Sequence, residues 1–314
     1  MTARETYRKL CWPDAPLFHQ PFWLDAVAGH HWDVAMLEEQ DTMKAYYLYA
    51  IRKSWSGMHA YMPELTQFLG PGYRIQEAND RERLNRETWL LEQLCAALPP
   101  VASFNSRWQT GYFNWLPFYW MQYSQRVRYT YVLEELHDTE KLMYAFSDKI
   151  VREIRKAEKT LEVMETDDTE KFHRLILDNF RNKQARVALD LQVLSKSYQA
   201  CSEQSCGKIW YAAGEKQQWA GAIFVAWDKQ TAYYIIGAKD DSFGNSGAMS
   251  LLFWHAIKQL SNKVRSFDFE GSMIQGVENY FRSFGGMQRM FFEISHDRAL
   301  LMKMRSMWRT LRSR

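Results

Sequence analysis

Short runs of alternating apolar and polar residues recur along the chain and predict β-strands, with helically spaced segments between them. In the first 138 residues, strands are predicted at 33–38, 45–52, 59–63, 101–107 and 128–133. Helices are predicted at 20–28 and from Asn79 or Asp80 to about Leu98, where two prolines end the second one. The order of three strands, a helix and a strand is half of a familiar α/β arrangement.

The same order returns after residue 138. A long helix at 139–159, a strand at 161–165 and two helices at 169–181 and 187–204 are predicted first. Antiparallel strands at 208–213, 219–227 and 231–238 follow, then a helix at 246–260 and strands at 266–270 and 288–294. The fold class is therefore α/β (α+β), with two domains at 1–138 and 139–314, each a mixed, mostly antiparallel sheet flanked by helices. An amphipathic last helix at 298–314 is predicted to dock on the first domain.

The stretch 266–286, SFDFEGSMIQGVENYFRSFGG, predicts a strand, a tight turn, a helix and a glycine stop. Alternation places Asp268 and Glu270 on one face of the strand. Ser272 is expected to cap the helix, which is expected to bury one apolar face, formed by Ile274, Val277, Phe281 and Phe284. Acids at the end of an apolar strand are costly to bury unless they are paired. Either they orient a substrate amine, or they accept hydrogen bonds from amides of the next helix.

Composition narrows the classes of function. The formal net charge of +3 does not by itself indicate a nucleic-acid partner. The four cysteines form no CxxC pair and the eight histidines are scattered, so no metal site is expected. The cysteines are expected to be reduced thiols, which indicates the cytoplasm. The chain shows no apolar signal core and no run of membrane-spanning length. Motifs of nucleotide-binding P-loops, serine hydrolases and dinucleotide-binding folds are absent from the sequence.

The DFEGS segment and the Phe-basic-x-Phe-Gly end of the next helix resemble the Fem-type branch of the GNAT-fold acyltransferases. Proteins of that branch move an amino acid from aminoacyl-tRNA onto an amine of a peptidoglycan precursor. The order of predicted elements is also that of the GNAT fold. The resemblance therefore implies two GNAT-like domains in tandem, with residues 1–138 on the acceptor side and 139–314 on the donor and catalytic side.

Phe281 and Arg282 match a Phe-Lys pair that the resemblance implicates in catalysis or in donor contact. It thus implies that Arg282 stabilises developing negative charge or holds a phosphate. A guanidinium stays protonated, so Arg282 is not a general base. The alternative is structural, because Arg282 would also satisfy Asp268 or Glu270 in an ion pair.

The loop before the 246–260 helix is the candidate donor site. Gly244, Ser246 and Gly247 are predicted to form an anion-binding turn at the helix N-terminus. The loop departs from the CoA-binding signature of ordinary GNAT enzymes, and Asp240 and Asp241 would repel a pyrophosphate. This departure favours aminoacyl-tRNA over acyl-CoA as the donor co-substrate, and no tightly bound cofactor is expected. The alternative is an ordinary helix start after a glycine turn.

Basic residues of the first domain are the candidate acceptor contacts. The Fem-type resemblance implies that Arg52 and Lys53, at a strand end, hold precursor phosphates, although such a pair also suits solvent. Arg128 lies in a segment that resembles a recurring Arg-x-Thr-Tyr stretch of the family.

The predicted function is an acyl- or aminoacyltransferase that forms an amide on a primary amine of a cell-envelope, peptidoglycan-precursor-like acceptor. One alternative is a CoA-dependent N-acyltransferase for an amino sugar. Another is a non-catalytic binding module that has kept the GNAT fold. The partners expected are a tRNA as donor, the acceptor itself and, through residues 298–314, a peripheral membrane contact. The sequence leaves the oligomeric state open.

Overall fold

The computed structural model of the chain describes residues 2–39, 42–76, 79–183, 188–215 and 217–297. The predicted helix at 298–314 lies outside this part. The α-helices are α1 (Ala3–Leu10), α2 (Pro21–Ala28), α3 (Asp80–Ala97), α4 (Leu116–Trp120), α5 (Thr139–Ala145), α6 (Asp148–Ala157), α7 (Thr169–Asn182), α8 (Leu191–Glu203), α9 (Ala248–Leu260) and α10 (Gln275–Arg282).

The strands follow the predicted order, with one addition at Gly70–Tyr73. They are β1 (Trp32–Glu39), β2 (Thr42–Ser54), β3 (Gly57–Tyr61), β4 (Gly70–Tyr73), β5 (Ser103–Arg107), β6 (Ser124–Leu133), β7 (Glu162–Thr166), β8 (Gly207–Ala213), β9 (Trp219–Trp227), β10 (Thr231–Lys239), β11 (Ser266–Asp268) and β12 (Met287–Asp297).

The chain divides into two compact units. Among the described residues, the first unit contains those of Met1–Pro13 and Ala28–Arg128 and those from Met290 onward, and the second contains those of Asp14–Val27 and Tyr129–Arg289. The division predicted at residues 138 and 139, with its acceptor and donor sides, stays a prediction.

The sheet of the first unit is mostly antiparallel. β2 pairs antiparallel with β1, β3 and β4, β12 pairs antiparallel with β5, and β3 and β5 run parallel. Aromatic residues fill its core, where Tyr47 stacks on Phe118 and accepts a hydrogen bond from the Trp108 indole at 2.8 Å. That bond provides a partner for the polar atoms of two large, buried side chains.

The second unit carries the antiparallel series β7, β8, β9 and β10. β10 then pairs in parallel with β11, which pairs antiparallel with β6. All nine residues of β9 are buried, which explains its continuous apolar sequence, since both of its faces are covered.

The parallel pairing between β10 and β11 is short. Their pairing joins Thr231–Tyr233 to Ser266–Asp268. β11 ends there, whereas β10 continues along β9 as far as Lys239. From Tyr234 onward β10 therefore has no strand pairing with β11, and we call this unpaired edge, on the side where α9 and α10 begin, the wedge.

Aromatic side chains pack beside this wedge. Phe253 of α9 lies 5.3 Å from Phe269 and 4.8 Å from Tyr234, measured between ring centroids. Phe281 stacks on Phe269 at 5.3 Å, and Phe284 completes the cluster. Each aromatic pair contributes about 0.5–1.5 kcal/mol beyond its area burial, so these rings hold α9, α10 and the end of β11 together.

The long helix predicted at 139–159 is wrong, because two helices occupy this segment. Asp138 accepts the Lys141 amide at 3.0 Å and caps α5. Ser147 has an extended backbone and accepts the Ile150 amide at 3.5 Å, which begins α6. Its own amide donates to the Ser283 carbonyl at 2.8 Å. A tertiary contact and a second cap therefore interrupt a segment whose periodicity is helical throughout.

Candidate functional site

The end of β11 turns sharply, and Asp268 holds that turn. Its Oδ1 accepts the Glu270 amide at 2.7 Å and the hydroxyl of Thr130 on β6. Glu270 and Gly271 then adopt left-handed conformations, with φ of 58° and 63°. A buried carboxylate needs hydrogen-bond partners, and Asp268 is 5% exposed. Asp268 therefore fixes the shape of the turn before α10, and the strand predicted at 266–270 ends two residues early.

Of the two acids of this segment, only Asp268 lies in the strand. Burial is the main cause that raises the pKa of both Tyr233 and Tyr234; Asp228 and, to a smaller extent, Asp268 add to the effect at Tyr233, and Glu270 adds to it at Tyr234. Tyr234 packs on Phe253, and Tyr233, next to it on β10, points to the opposite face. Glu270 lies beyond the end of β11 and has a positive φ, so the alternation that the sequence predicts for the two acids stops at Asp268.

Helix α10 begins later than predicted and buries less. Ser272 accepts the Ile274 amide at 3.0 Å, within the turn, and the helix starts at Gln275 without a side-chain cap. Ile274 is 68% exposed and Val277 37% exposed. The predicted apolar face is therefore wrong for the first half of the segment and holds only for Phe281 and Phe284.

The two residues that resemble the Phe-Lys pair have different surroundings. Phe281 is 5% exposed and belongs to the aromatic cluster. Arg282 is 61% exposed at its side chain and pairs with Glu278, its Nε lying 3.0 Å from Glu278 Oε1. The structural alternative of a pair with Asp268 or Glu270 is therefore wrong. Arg282 presents a cation at the surface of α10.

Glu278 links Arg282 to strand β6, a connection that sequence reasoning missed. The Tyr131 hydroxyl donates to Glu278 Oε1 and accepts a hydrogen bond from the Gln288 amide at 2.8 Å. Burial and the bond to Glu278 raise the pKa of Tyr131, so its phenol stays protonated and donates. The spacing of four residues between Glu278 and Arg282 was the available signal, since such residues are neighbours on a helix.

The candidate donor loop is closely packed against helix α6. Gly247 has φ of 81°, and a Cβ there would lie 2.4 Å from the Glu153 carbonyl oxygen. Ser246 Oγ accepts the Ala248 amide at 3.4 Å, and Lys156 donates to the Asn245 carbonyl at 2.7 Å. A glycine is therefore needed at position 247, because α6 leaves no room for a side chain. Gly247 also precedes α9 as its N-cap residue without a side-chain hydrogen bond.

The acids of this loop have local partners. Asp240 accepts the Ser242 amide at 2.8 Å, and Asp241 Oδ1 lies 3.6 Å from Lys239 Nζ. Lys239 also donates to the carbonyl of Gly244 at 3.5 Å. The lysine offsets part of the negative charge that the sequence places before α9, which weakens the electrostatic argument against a pyrophosphate.

Three side chains link α6, α9 and α10 through a buried hydroxyl. Ser250, 1% exposed, donates to Glu153 Oε2 at 2.6 Å and lies 2.8 Å from the Tyr280 hydroxyl. Burial, above all, raises the pKa of Tyr280. The network joins the helix that follows the candidate donor loop to the helix that carries Arg282.

Ser250→Ala is expected to destabilise the second unit more than Tyr280→Phe. The alanine removes both hydrogen bonds, whereas the phenylalanine leaves Ser250 bonded to Glu153. With a net contribution of about 1 kcal/mol for each bond, and more beside a charged group, we expect a loss of roughly 2–3 kcal/mol against about 1 kcal/mol. Urea unfolding of the two variants measures the difference, and equal losses would contradict the bridging role of Ser250.

The candidate acceptor residues of the first unit have local partners. Arg52 and Lys53 are exposed on β2, and the Arg52 guanidinium lies over the Tyr61 ring, 5.2 Å from its centroid. Arg128 on β6 forms an ion pair of 2.7 Å with Glu293. Arg52 and Lys53 are therefore exposed to a ligand, whereas Arg128 is half-buried and held in an ion pair.

The residues that the structure describes contain neither a membrane-spanning helix nor a cluster of metal ligands. None of their helices is long and apolar enough to cross a membrane. Nor do they bring together three or more His, Cys, Asp or Glu side chains able to hold a metal ion.

Parallel strands that part beside the start of a helix, in a mixed sheet flanked by helices, define the GNAT class of folds. A family model described as an acetyltransferase (GNAT) domain matches residues 145–282, which include the wedge, the candidate donor loop and α10. No curated protein matches the chain in sequence.

Solved structures show the same architecture over nearly the whole chain. The structure of FemX covers 93% of this chain and 96% of its own, at 11% identity and a TM-score of 0.66. A tandem GNAT protein from the clavulanic acid pathway covers 94% of each chain, at 8% identity and a TM-score of 0.52. The C-terminal domain of a putative lysylphosphatidylglycerol synthetase from Agrobacterium fabrum covers 93% of this chain and 90% of its own, at 10% identity and a TM-score of 0.52.

These likenesses concern the fold. They confirm the predicted fold class, two tandem GNAT-like domains, and the resemblance of that fold to the Fem-type branch. The matched acetyltransferase model supports the enzyme class, an acyltransferase, at that coarse level.

Proposed function

We propose that this protein is an acyl- or aminoacyltransferase that forms an amide on a primary amine of a cell-envelope precursor. The observation that carries the proposal is the wedge between β10 and β11, followed by an exposed Arg282 on α10. This wedge lies inside the segment that matches the acetyltransferase model. An aminoacyl-tRNA donor would place the reaction in the cytoplasm of a bacterium.

The chemistry follows from amide formation. The neutral acceptor amine attacks the acyl carbonyl, and negative charge develops on the carbonyl oxygen. The donor's oxygen or sulfur then leaves and takes up the proton that the amine nitrogen gives up, so the products are the amide and a free hydroxyl or thiol. Parting strands leave backbone groups beside β10 that can polarise that carbonyl. In this proposal Arg282 stabilises the developing charge and stays protonated throughout. Glu270 orients the amine, Asp268 holds the turn that carries Glu270, and Phe281 packs beside the wedge.

The donor and the acceptor are assigned to separate residues. Gly244, Ser246 and Gly247, at the start of α9, would hold a phosphate or the carbonyl of the donor, where backbone amides of a helix start attract anions. On the first domain, Arg52, Lys53 and Arg128 would contact the acceptor's phosphates.

A second candidate function is CoA-dependent N-acylation of an amino sugar. The observation in its favour is that Lys239 and Lys156 contact the loop before α9 and offset its acids. A non-catalytic binding module is the third candidate. It differs from both enzymes in that it would bind one of the ligands and transfer nothing.

A comparison of melting temperatures tests the donor and acceptor classes. Acetyl-CoA and a UDP-linked muramyl pentapeptide are added separately, each well above its expected dissociation constant. A ligand at a hundred times its dissociation constant stabilises the folded state by about 2.7 kcal/mol, which a melting curve resolves. We expect a shift with the muramyl peptide. A shift with acetyl-CoA alone would favour the second candidate and overturn the first.

A further inference from the structure

Glu278 presents one engaged carboxylate oxygen and one open oxygen. Both of its contacts converge on Oε1, which takes the Tyr131 hydroxyl and lies 3.0 Å from Arg282 Nε. Within the described part of the chain, Oε2 accepts no hydrogen bond. The Glu278 side chain is 24% exposed, so the residue lies at the protein surface and is not enclosed in the core. A carboxylate has about four lone-pair positions, and the two contacts leave acceptor capacity on Oε2.

The position of the Glu278 carboxylate is fixed by a hydrogen bond from strand β6. Tyr131 lies on β6, and its hydroxyl is fixed in turn by the Gln288 amide. The pair of Glu170 and Arg174 on α7 has the same spacing of four residues, but its side chains are 72% and 66% exposed and 3.8 Å apart. Pairs of that kind contribute little and hold no fixed geometry. Glu278 is therefore a preorganised acceptor, whereas Glu170 is an ordinary surface residue.

We propose that Glu278 Oε2 binds a primary ammonium group of a substrate. Ammonium groups donate short, charge-assisted hydrogen bonds to carboxylates. The inference rests on the proposed function, in which two substrates carry such a group: an aminoacyl donor at its α-amine, and the acceptor at the amine to be acylated. An acyl group on CoA carries none at that position. Arg282, one helical turn away, offers the complementary cation for the acyl oxygen.

Four probes and one isosteric variant separate these sources. The acceptor pair is UDP-muramyl pentapeptide with a free lysine amine, and the same compound acetylated on that amine. The donor pair is the amide analogue of alanyl-adenosine with a free α-amine, and its N-acetyl form. Calorimetry gives the dissociation constants for the wild type, Glu278→Gln and, as the matched control, Glu170→Gln.

The wild type and Glu170→Gln are expected to bind the free-amine probe of one pair about ten- to a hundredfold more tightly than its acetylated form. This ratio corresponds to the free energy of one hydrogen bond to a charged group. Glu278→Gln should lose that preference. The pair that responds identifies the ammonium group as the donor's or the acceptor's. A preference that survives in Glu278→Gln would overturn the proposal. If this variant melts well below the wild type, Glu278→Asp replaces it, because the shorter carboxylate should weaken the preference without abolishing it.

Failure of the proposed function remains distinguishable. If the wild type binds none of the four probes, the proposed substrates are wrong, and n-propylamine alone decides the role of Glu278. n-Propylamine is titrated into the protein, and its binding is followed by NMR through the Arg282 Nε–H resonance. This resonance is assigned by its loss in Arg282→Lys. A shift in the wild type that Glu278→Gln abolishes would support the ammonium site, and an equal shift or none would overturn it.

Discussion

Arg282→Ala is expected to lower the rate of amide transfer by about 10²–10³-fold, the usual loss when one group that stabilises a developing oxyanion is removed. Stability should hardly change, because the Arg282 side chain is 61% exposed and exposed ion pairs contribute about 0–1 kcal/mol. Single-turnover rates with the donor and acceptor identified by the melting comparison measure the first effect, and melting curves measure the second.

Two control variants separate charge from geometry. Arg282→Lys keeps a cation but loses the planar fork, and the lysine of the Fem-type pair stands at this position, so an intermediate rate is expected. Arg174→Ala removes the arginine of a matched exposed pair on α7 and should leave transfer unchanged. An unchanged rate in Arg282→Ala, with folding intact, would remove Arg282 from the proposed site.

The pattern of apolar and polar residues within short segments was sufficient to predict most of the helices and strands. The strand predicted at 219–227 matches β9, and Asn79 caps α3 through the Glu82 amide as its residue type suggests. Such signals depend on residues within a few positions of one another. The same period cannot reveal a tertiary contact, which is why the helix at 139–159 was predicted as one and is interrupted at Ser147.

The candidate site was predictable only in part for the same reason. Arg282 could be identified through a short motif, but its link to β6 joins Glu278 to Tyr131, 147 positions away. No periodicity reports a hydrogen bond of that separation. The exposure of Ile274 escaped prediction too, because an apolar residue at helical spacing implies a buried face only if another element covers it.

Gly271 is the position in the turn before α10 where a substitution should do the most damage. Its φ of 63° is in the left-handed region, which costs a residue with a Cβ roughly 1–2 kcal/mol. An added Cβ would also lie 2.0 Å from the Tyr129 carbonyl oxygen and 2.6 Å from Thr130 Cα. Both contacts are to backbone, so no side chain can rotate away. Relief would require β6 to move from the turn, where the Phe269 amide donates to the Tyr131 carbonyl at 3.0 Å.

Gly271→Ala is therefore expected to destabilise the second unit by more than about 3 kcal/mol, the sum of backbone strain and overpacking. That loss corresponds to a fall in melting temperature of roughly 6–12 °C for a unit of this size. Gly276→Ala is the matched control, because it lies in α10, a Cβ there meets nothing within 4 Å, and alanine favours a helix by about 1 kcal/mol. It should melt at or slightly above the wild-type temperature. Similar melting of both variants would mean that the turn and β6 separate easily, and the fixed position of Tyr131 beneath Glu278 would then lose its support.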